Sequence, residues 1–303
     1  MFTLRQLRYF ESLAETLHFG RAARRLNISQ PALSTQIAQL ETAFGLTLVE
    51  RRPSGVALTP EGVAVLKRAR RILVECRDLE ALSEGVAEPL SGRLRLGIIA
   101  SLAPYLLPPI LTRLERDYPV LEIGVRENVT AALLSDLARG ELDCVALALP
   151  VADRGTETIP LGDDPFLVAV PQAQAGRFAS PVALERLDDE RLILLEEGHC
   201  LRDQALAVCE RAQARDLAQL GATSLTTLLR MVAGGLGVTL VPRCAVAAEG
   251  RGGGVAFLPF ADPVPARRLA LAFRGTTSRS KDYERLAELM RECLTELSGP
   301  VSG

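Results

Sequence analysis

The sequence predicts an α/β protein in two parts. A small N-terminal unit of three helices and a two-stranded wing leads into one long helix. A larger body of two α/β lobes follows. Three observations predict this. Apolar residues recur at helical spacing through roughly the first 90 positions and then give way to alternating strand-like and helix-like runs. Charge is unevenly divided: residues 1–70 hold 10 Lys+Arg and 5 Asp+Glu, a balance of +5, and the remainder, 25 against 32, stands at −7. Pro-Ser-Gly at 53–55, Thr-Pro at 59–60 and Pro-Leu-Ser-Gly at 89–92 punctuate the chain at the changes of pattern. At 303 residues, 48% of them hydrophobic, the chain can bury the cores of two or three domains. The expected divisions are 1–59 for the head, 60–88 for the long helix and 89–303 for the body. Lobe I takes about 92–163 and 267–303, and lobe II about 164–266.

In the head, Leu7, Phe10, Leu13, Ala14 and Leu17 mark a first amphipathic helix, and Ala22, Ala23 and Leu26 a short second one. Asn27-Ile28 is the turn. Ser29 can cap a third helix, with Pro31 in its first turn, where a missing N–H does no harm. Leu33, Ile37 and Leu40 face the core. That leaves Gln30, Ser34, Thr35 and Gln36 outward near the N-terminal end, where short hydrogen-bonding side chains suit insertion into a DNA major groove. Phe44-Gly45 ends the helix. Leu48 to Arg52, a turn at 53–55 and Val56 to Leu58 make the wing, which carries Arg51 and Arg52. A basic head on an acidic body fits a head that binds phosphates.

Thr59 caps the long helix and Pro60 opens it. Val65, Ala69, Ile72, Cys76, Leu79, Ser83 and Val86 recur with heptad-like spacing, a seam for a second helix. We read it as a dimerisation helix, with Cys76 packing on the seam. After the hinge at 88–92 come a strand at Leu94–Ile99, a helix at Pro104–Asp117, a strand at Leu121–Val125, a helix at Thr130–Arg139 and a strand at Cys144–Leu149. The alternation resumes with strands at Phe166–Val170, Leu192–Leu195 and near Leu220, and a helix at Ser224–Ala233. Strands at Val238–Val241 and Leu269–Phe273 follow, then a final helix at Ser280–Leu297. Such alternation predicts parallel sheet with crossover helices. With the last strand returning to the first lobe, the arrangement resembles the periplasmic binding proteins.

The chemistry concentrates at Gly198-His199-Cys200-Leu201-Arg202-Asp203-Gln204-Ala205 and Cys209. Leu201, Ala205, Val208, Cys209 and Ala212 share one helical face, so Cys209 would be buried. Cys200 would stand at the helix start, where free N–H groups and the macrodipole favour a thiolate, beside the cations His199 and Arg202. Cys76, Cys144, Cys244 and Cys293 have apolar or helical neighbours and read as inert. With two histidines and no Cys-x-x-Cys, no metal site is expected, and no cofactor either.

Two stretches carry a family resemblance. Ala22-Ala23-x-x-Leu26-x-Ile28-Ser29-Gln30-Pro31-Ala32-Leu33-Ser34 resembles the helix-turn-helix of the LysR-type transcriptional regulators. The segment around Cys200 resembles the sensing segment of the peroxide-responsive branch of that family. The resemblance to that branch continues through Pro104-Tyr105-Leu106-Leu107-Pro108, Leu142-Asp143-Cys144-Val145, Ala222-Thr223-Ser224-Leu225 and Met231-Val232-Ala233. The head is then a winged helix-turn-helix, and the body a periplasmic-binding-protein-like regulatory domain.

The resemblance implies that Ser29, Gln30, Pro31, Ser34, Thr35 and Gln36 meet DNA, and that Arg5, Arg51 and Arg52 meet its backbone. It implies a peroxidatic Cys200 and a resolving Cys209, joined reversibly in a disulfide. It also implies a peroxide site of Ser101, Thr130, His199 and Arg267. Ser101 stands where the branch usually has threonine, keeping the hydroxyl and losing the methyl. Arg268 is the alternative to Arg267.

The partners implied are promoter DNA, hydrogen peroxide, further copies in a homodimer or homotetramer, RNA polymerase and a thiol reductant. The output is a switch in antioxidant gene expression. No signal-like leader and no apolar run of 18 residues is present, so a cytoplasmic protein without membrane contact is expected. Two other functions fit the same outline. One is a LysR-type regulator with a small organic effector between the lobes. The other is a thiol peroxidase fused to a DNA-binding head, against which no dedicated Cys-x-x-Cys appears, and no enzyme activity is expected.

Overall fold

The computed structural model describes residues 1–52, 55–84, 89–151, 155–196, 200–211, 222–277, 279–297 and 299, without the side chains at 51, 77–78, 80–84 and 209–211. Two compact units divide at residue 84/85.

The first unit is built as its pattern dictates. Helix α1 (Leu4–Thr16) opens with a reciprocal cap: Thr3 Oγ1 accepts from the Gln6 amide at 3.2 Å, and the Gln6 side chain accepts from the Thr3 amide at 2.9 Å. Leu17, expected on the buried face, instead ends α1 in the left-handed region at φ 48 and is 44% exposed. Helix α2 (Phe19–Arg25) is capped by His18, whose Nδ1 accepts from the Gly20 and Arg21 amides. Helix α3 (Gln30–Phe44) has Ser29 as its cap, Pro31 in its first turn and Gly45 at φ 66 as its stop. Strands β1 (Val49–Arg52) and β2 (Gly55–Leu58) pair antiparallel as the wing.

Leu7, Phe10, Leu13, Leu33, Ile37, Leu40 and Leu48 form the core. Helix α4 (Pro60–Glu84) joins this core, which adjusts the expected seam. Leu66, Ala69 and Leu73 are buried against the head, whereas Ile72 and Leu79 are 38% and 67% exposed. Ala69 is therefore spent on the head, and the apolar surface left to a second helix lies around Ile72 and Leu79. Ser83 and Val86 of the seam fall outside the described side chains. Thr59 Oγ1 accepts from the Gly62 amide at 2.9 Å, as a helix cap should. Gly62 must be glycine, since a Cβ there would lie 2.1 Å from the Leu48 carbonyl oxygen.

The second unit contains strand β3 (Gly92–Ile99), helix α5 (Ala103–Asp117), strand β4 (Leu121–Asn128), helix α6 (Thr130–Ala138) and strand β5 (Cys144–Ala148). The long strand β6 (Thr156–Pro171), helices α7 (Cys200–Arg211) and α8 (Leu225–Ala233), strand β7 (Thr239–Pro242) and helix α9 (Arg243–Glu249) follow. Strands β8 (Val255–Pro259) and β9 (Ala266–Arg274) and helix α10 (Ser280–Leu297) complete it. Among the described residues the strands form one seven-stranded sheet in the order β4-β3-β5-β9-β6-β7, with β8 also on β6.

The expected parallel sheet makes up only part of the structure. Strand β3 is parallel to β4 and β5, but β9 runs antiparallel to β5 and β6, and β6 antiparallel to β7 and β8. The cause is β6. The sequence suggested a strand only at Phe166–Val170, but β6 runs 16 residues and serves two sets of partners. Its first part, Thr156 to Pro165, pairs with β9, and its second, Phe166 to Pro171, pairs with β7 and β8.

Leu192–Leu195 is not a strand. Leu192 and Leu195 make single bridges to Val238 and Ala222. The strand expected near Leu220 lies outside the described residues. Helix α9 and strand β8 were not anticipated. One large core fills the unit, from Leu94, Leu96 and Ile98 through Val168 and Ala169 to Leu286 and Met290. Among the described residues no helix is long and apolar enough to cross a membrane.

Candidate functional site

Cys200 is the first residue of α7, half-buried and free. The helix behind it turns Leu201, Ala205 and Val208 inward, all buried as their spacing requires. Its Sγ lies 4.0 Å from Oγ of Ser101, in the turn between β3 and α5. Arg267 Nη1 donates to that same hydroxyl at 2.8 Å, and Nη2 to the Ser101 carbonyl at 3.3 Å. Since Ser101 Oγ accepts from Arg267, its single proton is left for the sulfur or for an oxygen beside it.

Arg267 is the strand residue directly opposite Asp164 on β6, so their side chains share a face. The pair is buried, with Nε and Nη2 each about 3 Å from Asp164 Oδ2. The two arginines alternate along β9, Arg267 buried and Arg268 exposed. Burial works against the Arg267 charge, yet its pKa is raised on balance because Cys244, Asp164 and Cys200 favour the cation.

Cys244 belongs to this cluster, which corrects the expectation of apolar neighbours. Its Sγ accepts from Arg267 Nη2 at 3.6 Å, and its amide in the first turn of α9 donates to Asp164 Oδ1 at 3.0 Å. Burial pushes its thiol up to about 12, with Arg267 pulling the other way and Asp164 adding to the rise. Cys144 is also pushed up by burial, and its side chain is fully enclosed. Close by, Tyr105 of α5 donates to Glu249 of α9 at 3.0 Å, as does Thr226 of α8 at 2.9 Å, so one carboxylate ties three helices together. Burial first, and then Glu249, raise the pKa of Tyr105.

In the head, Ser29, Gln30, Pro31 and Thr35 are exposed along the N-terminal half of α3, and Ser34 and Gln36 half-buried. Ser29 also caps, and Thr35 Oγ1 bonds back to the Pro31 carbonyl. Arg5 is exposed at the start of α1. Arg52 is exposed on the wing, 3.2 Å from Glu50. The Arg51 side chain lies outside the described set.

Residues 4–63 match the model of the bacterial regulatory helix-turn-helix proteins of the lysR family, and residues 87–295 that of the LysR substrate binding domain. The chain belongs to the LysR family of transcriptional regulators. A relative from Streptomyces viridosporus, named a probable hydrogen peroxide-inducible genes activator, is 42% identical over 97% of this chain and 95% of its own. A full-length OxyR structure from Pseudomonas aeruginosa, with a cysteine-to-aspartate substitution, superposes with a TM-score of 0.79 at 36% identity, covering 97% of this chain and 99% of that one. A peroxide-bound OxyR structure from Corynebacterium glutamicum, with a cysteine-to-serine substitution, reaches 0.69 at 37% identity, covering 98% and 94%. This LysR-type regulator is thus similar along nearly its whole length to peroxide-responsive activators.

Within this LysR-type chain the structure brings together Cys200, Ser101 and Arg267 of the predicted set. Thr130 is the first residue of α6, and its hydroxyl is buried with no hydrogen-bond partner among the described residues. No hydrogen bond joins it to the Cys200 group among those residues. His199 lies outside them, as does the Cys209 side chain, whose backbone is the tenth residue of α7. Arg202 donates to the Leu195 carbonyl at 3.0 Å. Asp164 and Cys244 were missed. The available signal for Asp164 was an acidic residue two positions before the apolar run at Phe166. For Cys244 there was none.

Proposed function

We propose that this regulator senses hydrogen peroxide through Cys200 and transmits the oxidation to promoter DNA. The observation that carries the reading is Cys200 at the head of α7, 4.0 Å from a hydroxyl polarised by the buried Arg267. The Cys200 thiolate attacks one peroxide oxygen; an S–O bond forms, the O–O bond breaks, and hydroxide leaves to be protonated to water. Sulfur loses two electrons and peroxide gains them. The Ser101 hydroxyl, with Arg267 behind it, holds the departing oxygen. Thr130 and His199 complete the peroxide site, the buried Thr130 hydroxyl being open to a ligand oxygen. Cys209 then attacks the sulfenic sulfur, expels hydroxide and closes the disulfide, and a thiol reductant reopens it.

The head binds promoter DNA through the outward face of α3, with Arg5, Arg51 and Arg52 on phosphates. Exposed Ile72 and Leu79 on α4 support pairing with a second copy. Two pairs give a homotetramer that alters contact with RNA polymerase and raises antioxidant gene expression in the cytoplasm. Two lobes, 92–163 with 267–303 and 164–266, fit the way β6 changes partners at residue 165/166.

Peptide mapping after a stoichiometric peroxide pulse tests the reading. Oxidation should appear first at Cys200 and then as a Cys200–Cys209 disulfide. A Cys200 left reduced while promoter binding still responded to a small organic molecule would replace it with an organic-effector regulator.

A further inference from the structure

We infer that Cys244 is a positioning residue for the reaction of Cys200 with peroxide, acting through Arg267. The inference rests on the reading above, that Cys200 is the peroxide-reactive thiol. The Arg267 side chain is wholly buried, so protein acceptors alone fix its orientation. Asp164 holds one edge of the guanidinium at Nε and Nη2. Ser101 takes Nη1 through its hydroxyl. Nη2 is shared between Asp164, the Ser101 carbonyl at 3.3 Å and the Cys244 sulfur at 3.6 Å.

A guanidinium is a rigid plane. Any tilt that frees Nη2 from Cys244 also swings Nη1 against the Ser101 hydroxyl, the group facing Cys200. The Cys244 amide holds Asp164 in turn, so this one residue steadies both members of the ion pair. A thiol suits the position for a second reason. Enclosed and protonated at neutral pH, it accepts a hydrogen bond without adding a second anion to Arg267. A thiolate there would cancel the positive charge behind Ser101. The same burial keeps Cys244 from competing for peroxide, which reacts with thiolates.

The test compares the full-length protein with Cys244→Ser, Cys244→Val and Cys244→Ala. Three quantities are read by peptide mass and thermal unfolding: the rate of Cys200 oxidation by hydrogen peroxide, the rate of Cys200 alkylation by iodoacetamide, and the unfolding midpoint. Serine keeps an acceptor for Arg267 and should stay within about twofold of the wild-type peroxide rate, whereas valine should lose about fivefold or more. Alanine adds no volume and carries the same expectation should valine fail to fold. Alkylation expels no oxygen and should change by less than about twofold in all variants.

Valine and alanine variants that react with peroxide at the wild-type rate would overturn the inference. So would a serine variant as slow as valine, or peroxide and iodoacetamide rates falling in parallel, the mark of a merely structural role. A wild-type Cys200 inert to peroxide would remove the sensing reading and this inference with it. A reactive wild type beside unaffected variants removes the inference alone.

Discussion

Closing a Cys200–Cys209 disulfide should unwind α7. Both residues belong to one continuous helix, Cys200–Arg211. Nine positions apart in a helix, their Cα atoms are roughly 13 Å apart along the axis and about 180° apart around it. A disulfide needs Cα atoms no more than about 7 Å apart, so side-chain rotation cannot close the gap. The helix must open, and Leu201, Ala205 and Val208, at 2%, 2% and 6% exposure, must leave their sites or be reseated. Exposing the three would cost on the order of 5 kcal/mol, a cost that oxidation must meet. Amide hydrogen exchange across 200–211, read by mass spectrometry on reduced and fully oxidised protein, measures this directly. Protection there should fall by about tenfold or more on oxidation, while β3, β5 and β9 keep theirs. Quantitative disulfide with unchanged protection in α7 would refute the argument, because no intact helix can satisfy that bond.

Three further outcomes are expected. Arg52→Ala should weaken binding to all DNA sequences and lower the salt slope by about one unit, whereas Gln30→Ala should shift sequence preference more than total affinity; gel shifts at several salt concentrations separate the two. Arg267→Leu leaves Asp164 buried without its cation, which should cost about 3–5 kcal/mol in urea unfolding and slow Cys200 oxidation, and Asp164→Asn in the same chain should recover part of the stability. The Cys244 thiol is raised in the fold from 9.0 to about 12. The unfolded chain therefore loses that proton first, so the stabilisation is whole below about pH 9 and lost as pH rises toward 12. Stability curves for wild type and Cys244→Ser should converge or cross over that window, and parallel curves would show that the thiol does not titrate there.

How much of this the sequence disclosed follows from the range of each interaction. Capping is local, so Ser29, Pro31, Gly45 and Thr59 were legible as helix ends, and the three-helix head followed. The inward face of α7 was legible because Leu201, Ala205 and Val208 repeat at helical spacing within one element. Sheet pairing is not local. Nothing near Thr156 to Pro165 signals that this stretch, with its two prolines and a glycine, extends β6 back to meet β9. The ion pair of Asp164 and Arg267, 103 residues apart, follows only once that register is known. Even the choice between Arg267 and Arg268 turned on strand phase, which shifts with a single residue of register. His18 shows the reverse limit: its capping role is local, but histidine is not among the common caps, so pattern alone did not suggest it.

The chain leaving and re-entering the body around α7 is pinned at its base. Leu195 bridges Ala222, and the Glu196 amide donates to the Ala222 carbonyl at 3.0 Å. Leu192 likewise bridges Val238. Within that excursion, the described ties of α7 to the body include buried Leu201, Ala205 and Val208, the packing of Leu206, the Arg202 bond to Leu195 and the Cys200 contact with Ser101. The ion pair of Arg267 and Asp164, by contrast, bridges β6 and β9 where β6 changes partners, and any shift there would disturb both groups of strands. The two halves of the site are thus held differently, one by an ion pair between strands and the other by a single helix. On the proposed reading, the group that would stand behind peroxide is held between two strands, and the thiol that would react heads a single helix. If Cys200 is the sensor as proposed, its oxidation would then rearrange the helix that carries it while the donors stay on the sheet.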